Sequence, residues 1–520
     1  MTISSPTAAA AGDKLDSRVL KIAGVCVIGA IMSILDVTVV SIALPTFMHE
    51  FAAQYSTVAW TMTAYTLALA AVIPVTGWAA DRFGTKRLYI AALILFTLGS
   101  AACAGAWSIG SLISFRVIQG VGGGMLAPLG MTIMTHAAGP KRIGRVMAVL
   151  GVPMLLGPIG GPILGGWLLE IASWHWLFLI NVPIGAVAVI LAAVVFEKDQ
   201  SSPSESFDFL GMLLLSPGLA AFLYGVASIP RTRTVASAEV LIPAIIGLAL
   251  MAAFVWHAMR KDHPLIDLRL FKHKQLSVAV ITMSLFAIAF FGAMLLFPSY
   301  FLQVRGKATL STGLLLAPQG LGAMLSMPVA GKLTDKMGPG KFVLSGIVLI
   351  ALGMGVFTQV SADTSYVLLL GSLFVMGLGM GMTMMPIMAA ALGALTHHEV
   401  ARGTTLMNIV QQSAGSIGTA VMSVILTNAT LSRPAAAMYS GALQQPGVTQ
   451  AQLPDAVRVP GQAALADAFG TTFWVALALI VLCLIPALLL PRRGPEIAHE
   501  DETTADDDVP APARLSEAEA

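Results

Sequence analysis

The sequence has 520 residues, of which 57% are hydrophobic and only 11% are charged. A soluble domain carries about a quarter charged residues, so water is not the main solvent of this chain. The formal net charge of +2, with no basic run that could follow a phosphate backbone, argues against a nucleic-acid partner.

Apolar windows recur along most of the chain after a polar N-terminal segment, 1–17, which we expect to be cytoplasmic. A membrane-spanning helix needs about twenty mainly apolar residues. We predict an all-α integral membrane protein with fourteen spanning helices and both termini on one side. The predicted spans are centred near residues 32, 67, 98, 123, 156, 185, 219, 248, 289, 320, 351, 377, 414 and 480.

The distribution of Lys and Arg predicts the orientation of the spans. Of the 29 basic residues, 22 fall in the loops on the side of the termini, 6 fall in the opposite loops, and Arg116 lies inside a span. Cytoplasmic loops carry an excess of Lys and Arg. We therefore expect both termini to be cytoplasmic.

Two loops repeat the pattern G-x-x-x-D-[RK]-x-G, one from Gly77 after span two and one from Gly331 after span ten. Repeated halves are a common construction of secondary transporters, with the substrate path between them. The offset of eight spans predicts two six-helix bundles, 18–200 and 276–490, with an inserted helix pair at 208–259.

Two further segments are predicted to lie outside the membrane. Residues 428–468 form a polar external loop that is long enough for a small hairpin or helix. Residues 494–520 are rich in Asp, Glu, Ala and Pro, a composition that cannot bury enough apolar surface to fold. We predict a disordered acidic cytoplasmic tail.

Two charged residues lie deep in predicted spans, Asp36 in span one and Arg116 in span four. A charge at the centre of a bilayer costs roughly 2.5 to 3.5 kcal/mol by insertion scales, so such residues are candidates for function. Burial disfavours the charged carboxylate and a nearby arginine favours it. Asp36 could therefore take up and release protons, with Arg116 tuning it; the alternative is a structural ion pair between the two spans.

Span five carries a run of glycines and prolines between Gly151 and Gly166. Small residues let neighbouring helices approach closely, and prolines remove backbone hydrogen bonds. This run fits a gate-forming helix and fits a packing element nearly as well.

No motif for bound cofactors or metals is found in the sequence. No histidine shares a helix face with carboxylates at metal-ligand spacing, and the three cysteines, Cys26, Cys103 and Cys483, lie in apolar stretches. No glycine-rich phosphate cradle is present, so we expect no cofactor and no nucleotide-driven step.

Together these motifs resemble the major facilitator superfamily, and within it the fourteen-spanning drug:proton antiporter branch of the EmrB/QacA type. The resemblance implies a proton-coupled secondary transporter, and not an enzyme, that exports apolar or cationic small molecules by alternating access. It places Asp36 in the first-helix motif of the branch and Arg116 where the superfamily has its proton-transfer arginine. Energy would come from the proton gradient.

The resemblance also implies roles for three groups of residues. A conformational latch would comprise Gly77, Asp81, Arg82, Gly84, Lys86, Asp335 and Gly338. The antiporter motif would comprise Gly151, Gly157, Pro158, Gly161, Pro162 and Gly165. Polar candidates for the substrate path are Thr38, Gln119, Asn408, Gln411 and Gln412.

The sequence departs from the family pattern at some of these positions. Thr85 stands at a latch position that is usually basic, and His175 stands where an arginine is common. Span thirteen lacks the acidic residue of some relatives, which leaves Asp36 more isolated as the charged centre.

Several functions fit this fold. Multidrug efflux is the leading expectation, and export of an endogenous lipid, siderophore or metabolite is the alternative. A membrane enzyme or sensor is disfavoured because neither a catalytic cluster nor a soluble domain is present. The expected location is a bacterial inner membrane, the expected partners are small molecules and the bilayer, and a periplasmic or cell-wall accessory protein is conceivable.

Overall fold

The computed structural model describes residues 16–139, 142–198, 207–232, 234, 236–262, 264–396, 399–443 and 450–492. Most of the predicted N-terminal segment and the whole predicted acidic tail, 494–520, lie outside these residues. Within them the chain forms fourteen long helices. These are α1 Ser17–Glu50, α2 Trp60–Phe83, α3 Thr85–Ala104, α4 Ile109–Ala138, α5 Ile143–Ile171, α6 Trp176–Val195, α7 Phe209–Thr232, α8 Ala238–Arg260, α9 Lys274–Gln303, α10 Thr309–Met337, α11 Pro339–Phe357, α12 Tyr366–Leu392, α13 Val400–Leu431 and α14 Asp455–Ala487.

Thirteen of these helices are long and apolar enough to cross a membrane. The remaining helix, α5, has 29 residues, and at a rise of about 1.5 Å per residue it is also longer than the ~30 Å hydrocarbon core. Each predicted span centre falls inside one of the fourteen helices. The all-helical membrane fold predicted from hydropathy is confirmed, and the helices are consistent with fourteen spans.

Both described chain ends lie at the same face of the molecule, which we call the terminal face. Asp16, before α1, pairs with Arg142 at 3.2 Å, and the N–H of Gly340 donates to the carbonyl of Pro491 at 2.8 Å. A contact between Gly144 and Asp335 at 2.8 Å connects these two places. The terminal face therefore carries both ends and the connections that precede α5 and α11.

Local sequence fixes where α4 begins, about two turns before Arg116. The hydroxyl of Ser108 accepts from the backbone N–H of Ser111 at 3.2 Å, and the hydroxyl of Ser111 accepts from the N–H of Ser108 at 3.0 Å. This reciprocal capping box satisfies two N–H groups that a helix start leaves unpaired. It holds Arg116 at a fixed depth from the face opposite the termini.

The helices α7 and α8 occupy the range predicted for the inserted pair, and they pack chiefly on each other. In addition α7 contacts α2 and α13, one helix from each half. The ring of Tyr224 stacks on Trp60 at 5.4 Å, and Phe207 contacts Trp78 at 4.2 Å. The pair therefore covers the line along which α2 and α13 meet.

Helices extend into both ends of the predicted external loop, 428–468. The helix α13 runs to Leu431, α14 begins at Asp455, and a short helix occupies Pro434–Leu443. Gln450 and Tyr439 hydrogen-bond the backbone carbonyl of Gln303 at the end of α9, at 2.7 and 3.3 Å. Polar side chains of this segment thus pair with a carbonyl group that α9 leaves free at its end.

Asp208 joins the inserted pair to the segment that leads into the C-terminal half. Its buried carboxylate lies 2.8 Å from Nε2 of His257 and accepts from Nζ of Lys261 at 2.9 Å. It also accepts from the backbone N–H groups of Gly211 and Leu265, both at 3.0 Å. Burial by itself raises the pKa of Asp208, but these hydrogen bonds outweigh it and hold the pKa below the usual carboxyl value.

We predict that Asp208→Asn lowers the melting temperature of the purified protein in detergent. The neutral amide replaces an ionised acceptor, and hydrogen bonds to charged groups contribute about 1.5 to 3 kcal/mol each. Because the folded pKa is depressed, the stabilisation is present above the ordinary carboxyl pKa and is lost as pH falls through the lowered value. The matched control is Asp262→Asn, since Asp262 is 94% exposed and lies 4.0 Å from Arg269. Equal melting temperatures for the two variants would contradict the anchoring role.

Candidate functional site

Asp36 and Arg116 form an ion pair between α1 and α4. Oδ2 of Asp36 accepts from Nη1 of Arg116, and neither side chain is exposed. Nε of Arg116 donates to the carbonyl of Thr61 at 3.0 Å. The guanidinium also lies 4.1 Å from the ring centre of Tyr65 and 5.8 Å from that of Phe178. The two charges that the sequence placed deep in spans are thus brought together inside the N-terminal half.

Two amide side chains complete the hydrogen bonds of the carboxylate. Nε2 of Gln119 donates to Oδ1 of Asp36 at 2.8 Å, and Nδ2 of Asn181 reaches the same oxygen at 3.3 Å. The amide oxygen of Gln119 accepts from Nη1 of Arg116 at 2.8 Å. Gln119, a candidate for the substrate path, therefore lies inside the ion-pair cluster, where it is fully buried.

Four polar residues in and around this cluster received no role from the sequence. Asn181 also donates to the hydroxyl of Ser100 at 3.1 Å, and the hydroxyls of Ser33 and Tyr65 are 3.0 Å apart. Asn181 is 145 positions from Asp36, so no local spacing links the two. The sequence signal that these residues share is that each is polar within an apolar helix.

A small cavity of about 130 Å³ lies beside Asp36, between α1, α5 and α6. Apart from Asp36 and Asn181, its walls are apolar side chains such as Leu35 and Ile184. The space beside Asp36 is therefore bounded mainly by apolar side chains, with Asn181 as the polar neighbour.

The glycines of the span-five motif pack α5 closely against α1. A Cβ at Gly157 would overlap the side chain of Ile34, and one at Gly161 would overlap the hydroxyl of Thr38. Thr38 donates to the carbonyl of Gly157 at 3.1 Å. Gly165 continues this row, and a Cβ at this position would lie 3.4 Å from Val39. Thr38, a substrate-path candidate, therefore sits in this helix contact.

The same helix α5 contacts the C-terminal half nearer the terminal face. A Cβ at Gly151 would lie 2.7 Å from the side chain of Met327 in α10 and 3.1 Å from that of Met385 in α12. The side chains of Pro158 and Pro162 lie outside the described residues. The glycines of the motif therefore pack against two different partners. One part contacts α1, and another part contacts the opposite half.

The first copy of the repeated loop pattern contacts the opposite half. Oδ2 of Asp81, near the end of α2, lies 3.7 Å from Nε of Arg402 in α13. A Cβ at Gly77, one turn earlier, would lie 3.0 Å from the hydroxyl of Thr405. The glycine lets α13 approach, and the aspartate pairs with an arginine of that helix.

The second copy makes equivalent contacts with α5. Oδ1 of Asp335 accepts from the backbone N–H of Gly144 at 2.8 Å, and Oδ2 lies 3.5 Å from Nε of Arg145. A Cβ at Gly331 would lie 2.7 Å from the carbonyl oxygen of Gly144. Arg145 and Arg402 are each the third residue of their helix, so the two contacts are related by the internal repeat.

Gly84, Gly338 and Lys86 of the predicted latch make contacts or turns within their own half. Gly84 and Gly338 have φ of 90° and 83°, a conformation that favours glycine and ends one helix directly before the next. Lys86 donates to the carbonyls of Ala193 and Phe196 at 2.7 and 2.6 Å, at the end of α6. A cation suits this position because the carbonyl groups at a helix end carry partial negative charge. Arg82 is exposed at the end of α2.

The remaining substrate-path candidates lie on α13, away from Asp36. Asn408 donates to the carbonyl of Thr404 at 2.8 Å and lies 3.7 Å from Sδ of Met131 in α4. Gln411 and Gln412 are half-buried one turn further along the helix. The amide oxygen of Gln411 is buried and accepts no hydrogen bond from the described part of the chain. Asn408 is therefore placed where the two halves meet.

Comparison with known proteins agrees with this architecture. The family model described as Major Facilitator Superfamily matches residues 26–419. The chain is 51% identical over 494 residues to a Mycobacterium tuberculosis protein named multidrug resistance protein B homolog, with 92% of each chain covered. It is 30% identical over 400 residues to the multidrug export protein EmrB of Haemophilus influenzae, with 76% of this chain and 78% of that protein covered.

Solved structures show the same fold at low sequence identity. The human organic anion transporter MFSD10 superposes with a TM-score of 0.59 at 15% identity, over 90% of this chain and all of that chain. The proton:xylose symporter XylE superposes with a TM-score of 0.55 at 13% identity, over 90% of this chain and 96% of that chain. The chain belongs to the major facilitator superfamily of membrane transporters.

Proposed function

We propose that this protein exports apolar or cationic small molecules, including drugs, in exchange for protons. The observation that carries the proposal is the fully buried pair of Asp36 and Arg116 on helices of the N-terminal half. An ionisable pair inside a membrane bundle is costly and marks a site of ion handling. The names of the relatives, a multidrug resistance protein homolog and a multidrug export protein, support the class of cargo.

Proton uptake at Asp36 would weaken its pairing with Arg116 and loosen α1 from α4. The row of glycines packs α5 closely against α1, so a movement of α1 would displace α5. At the terminal face the same helix α5 holds Asp335 of the opposite half. This continuous packing supports a coupling in which the charge state of Asp36 biases the contact between the halves.

The proposed orientation places the terminal face in the cytoplasm of a bacterial cell, with the chain in the inner membrane. The excess of Lys and Arg in the loops of this face supports the orientation. In the structure the halves contact each other there, through Asp81 and Arg402 and through Asp335 and Arg145. In the proposed orientation this conformation is closed toward the cytoplasm.

The function is tested with the purified chain alone in proteoliposomes under an imposed proton gradient. We expect ethidium to accumulate and the accumulation to collapse when an uncoupler is added. Accumulation by this chain alone, with no second protein in the liposomes, would also show that no accessory partner is needed for the transport step. Indifference to ethidium and to other amphiphilic cations would contradict the proposal.

We predict that Asp36→Asn abolishes gradient-driven ethidium transport, whereas Asp363→Asn, in an exposed loop, does not. The single variant leaves Arg116 as an unpaired buried charge, which costs about 3 to 5 kcal/mol of stability. The double variant Asp36→Asn with Arg116→Gln removes both charges and should recover much of the melting temperature but none of the transport. Transport by the double variant would show that the pair is only structural.

We predict that Asp335→Asn opens the terminal face more than Asp81→Asn. Asp335 is 7% exposed and also binds a backbone N–H, whereas Asp81 is 34% exposed and pairs at 3.7 Å. Exposed pairs contribute about 0 to 1 kcal/mol, and charge-assisted hydrogen bonds contribute more. The measurement is maleimide labelling of Thr405→Cys, which is buried against Gly77 in the closed state. Equal labelling rates in the two aspartate variants would contradict the difference.

We predict that Gly161→Ala impairs transport and Gly166→Ala does not. The added methyl at position 161 would overlap the side chain of Thr38, whereas none of the described atoms lies within 4 Å of a Cβ at position 166. Overpacking of this kind costs about 1 to 3 kcal/mol and separates α5 from α1. The measurement is ethidium transport per amount of folded protein in each variant, with the melting temperature of each variant determined alongside. Loss of transport in both variants would point to the helix itself instead of the contact.

A further inference from the structure

The contacts of Arg116 fall into two groups, one that needs an ionised Asp36 and one that does not. The first group is the ion pair through Nη1. The second comprises the hydrogen bonds to the carbonyl of Thr61 at 3.0 Å and to Oε1 of Gln119 at 2.8 Å, and the ring of Tyr65 at 4.1 Å. Nη2 has no hydrogen-bond partner among the described residues, although the side chain is fully buried.

We propose that Tyr65 is a positioning residue whose ring holds the guanidinium of Arg116 in place when Asp36 takes up its proton. This inference rests on the proposed function, because it concerns the proton step of that function. In the step, a proton from the aqueous phase binds an oxygen of the Asp36 carboxylate, which loses its charge, while Arg116 keeps its own proton and charge.

The physical reason is the charge that remains after protonation. A guanidinium paired with a carboxylate presents little net charge to its surroundings, but once Asp36 is neutral the full positive charge stays buried. The face of an aromatic ring is negative and attracts a cation within about 6 Å, more strongly when water is excluded. The same face disfavours a nearby carboxylate. Both effects favour the protonated state of Asp36.

The ring is held against Arg116 from two sides. The hydroxyl of Tyr65 lies 3.0 Å from that of Ser33, one turn before Asp36 on α1. On α4, a Cβ at Gly120 would lie 2.6 Å from the carbonyl oxygen of Tyr65 and one at Gly123 2.5 Å from its hydroxyl. The two glycines therefore let α2 lie directly on the helix that carries Arg116.

Among the described groups around Asp36, Phe178 of α6 also presents a ring to the guanidinium, but it lies further away, at 5.8 Å against 4.1 Å for Tyr65. The helices packed on the site contribute Arg116 from α4, Tyr65 from α2 and Cys103 from α3 as titratable or charged groups. Cys103 contacts Gln119 at 3.5 Å, and α6 contributes the neutral amide of Asn181. Toward α5 the cavity beside Asp36 is bounded by apolar side chains, which do not attract the guanidinium.

The test follows the protonation of Asp36 by infrared spectroscopy of the purified full-length protein in detergent. The carbonyl band of the protonated acid is assigned by its loss in Asp36→Asn, and its intensity is measured against pH. We expect Tyr65→Leu to lower the midpoint by about one pH unit, a tenfold loss of proton affinity. Tyr65→Phe, which keeps the ring, should restore the midpoint. Tyr89→Leu removes another fully buried tyrosine that contacts α1 and should leave it unchanged.

Pentafluorophenylalanine at position 65, compared with Tyr65→Phe, gives a second test if Tyr65→Leu does not fold. It keeps the shape of phenylalanine but reverses the charge distribution of the ring, so the midpoint should again fall. Equal midpoints with and without a negative ring face would overturn the role of Tyr65 and leave the proposed function standing. An Asp36 band that never changes with pH would instead remove the proton step itself.

Discussion

The ion pair of Asp36 and Arg116 constrains the N-terminal half, because burying two charges is costly unless they pair and hydrogen-bond with their surroundings. Three helices supply partners, Thr61 from α2, Gln119 from α4 and Asn181 from α6, around a carboxylate on α1. Breaking such a pair from one side costs several kcal/mol, whereas removing both charges costs much less. The arrangement is therefore stable as a pair and sensitive to the addition of one proton.

The internal repeat produces two equivalent contacts between the halves, but their surroundings differ. Asp335 is nearly buried and binds a backbone N–H, while Asp81 is partly exposed. The inserted helix α7 lies on α2 and α13, the pair that carries Asp81 and Arg402. The contact of Asp335 with α5 is thus held by a buried carboxylate, and the contact of Asp81 with α13 is covered by an added helix. A repeat in sequence therefore does not make the two contacts mechanically equal.

Hydropathy located the helices because the bilayer demands long apolar segments, and the rarity of buried charge singled out Asp36 and Arg116. The pattern G-x-x-x-D-[RK]-x-G identified Asp81 and Asp335 but not their partners Arg402 and Arg145, which lie on distant helices. Sequence placed Gln119 on the substrate path, whereas the fold turns it toward Asp36. Asn181 and Tyr65 were missed for the same reason, since contacts between spans follow from packing and leave no local spacing.

The helix α5 connects these features because it changes partners along its length. Gly157 and Gly161 hold it against the helix of Asp36, and Gly144 and Gly151 hold it against the C-terminal half. Gly144 brings α5 onto the backbone of Gly331, and Gly157 and Gly161 bring it onto the stiff β-branched side chains of Ile34 and Thr38. At these positions little side-chain motion is available to absorb a shift of one helix before it reaches the other. A helix with large side chains would stand further from α1 and would transmit less. The glycine motif therefore fits a close connection between the Asp36 cluster and the inter-half contact better than it fits a point of flexibility.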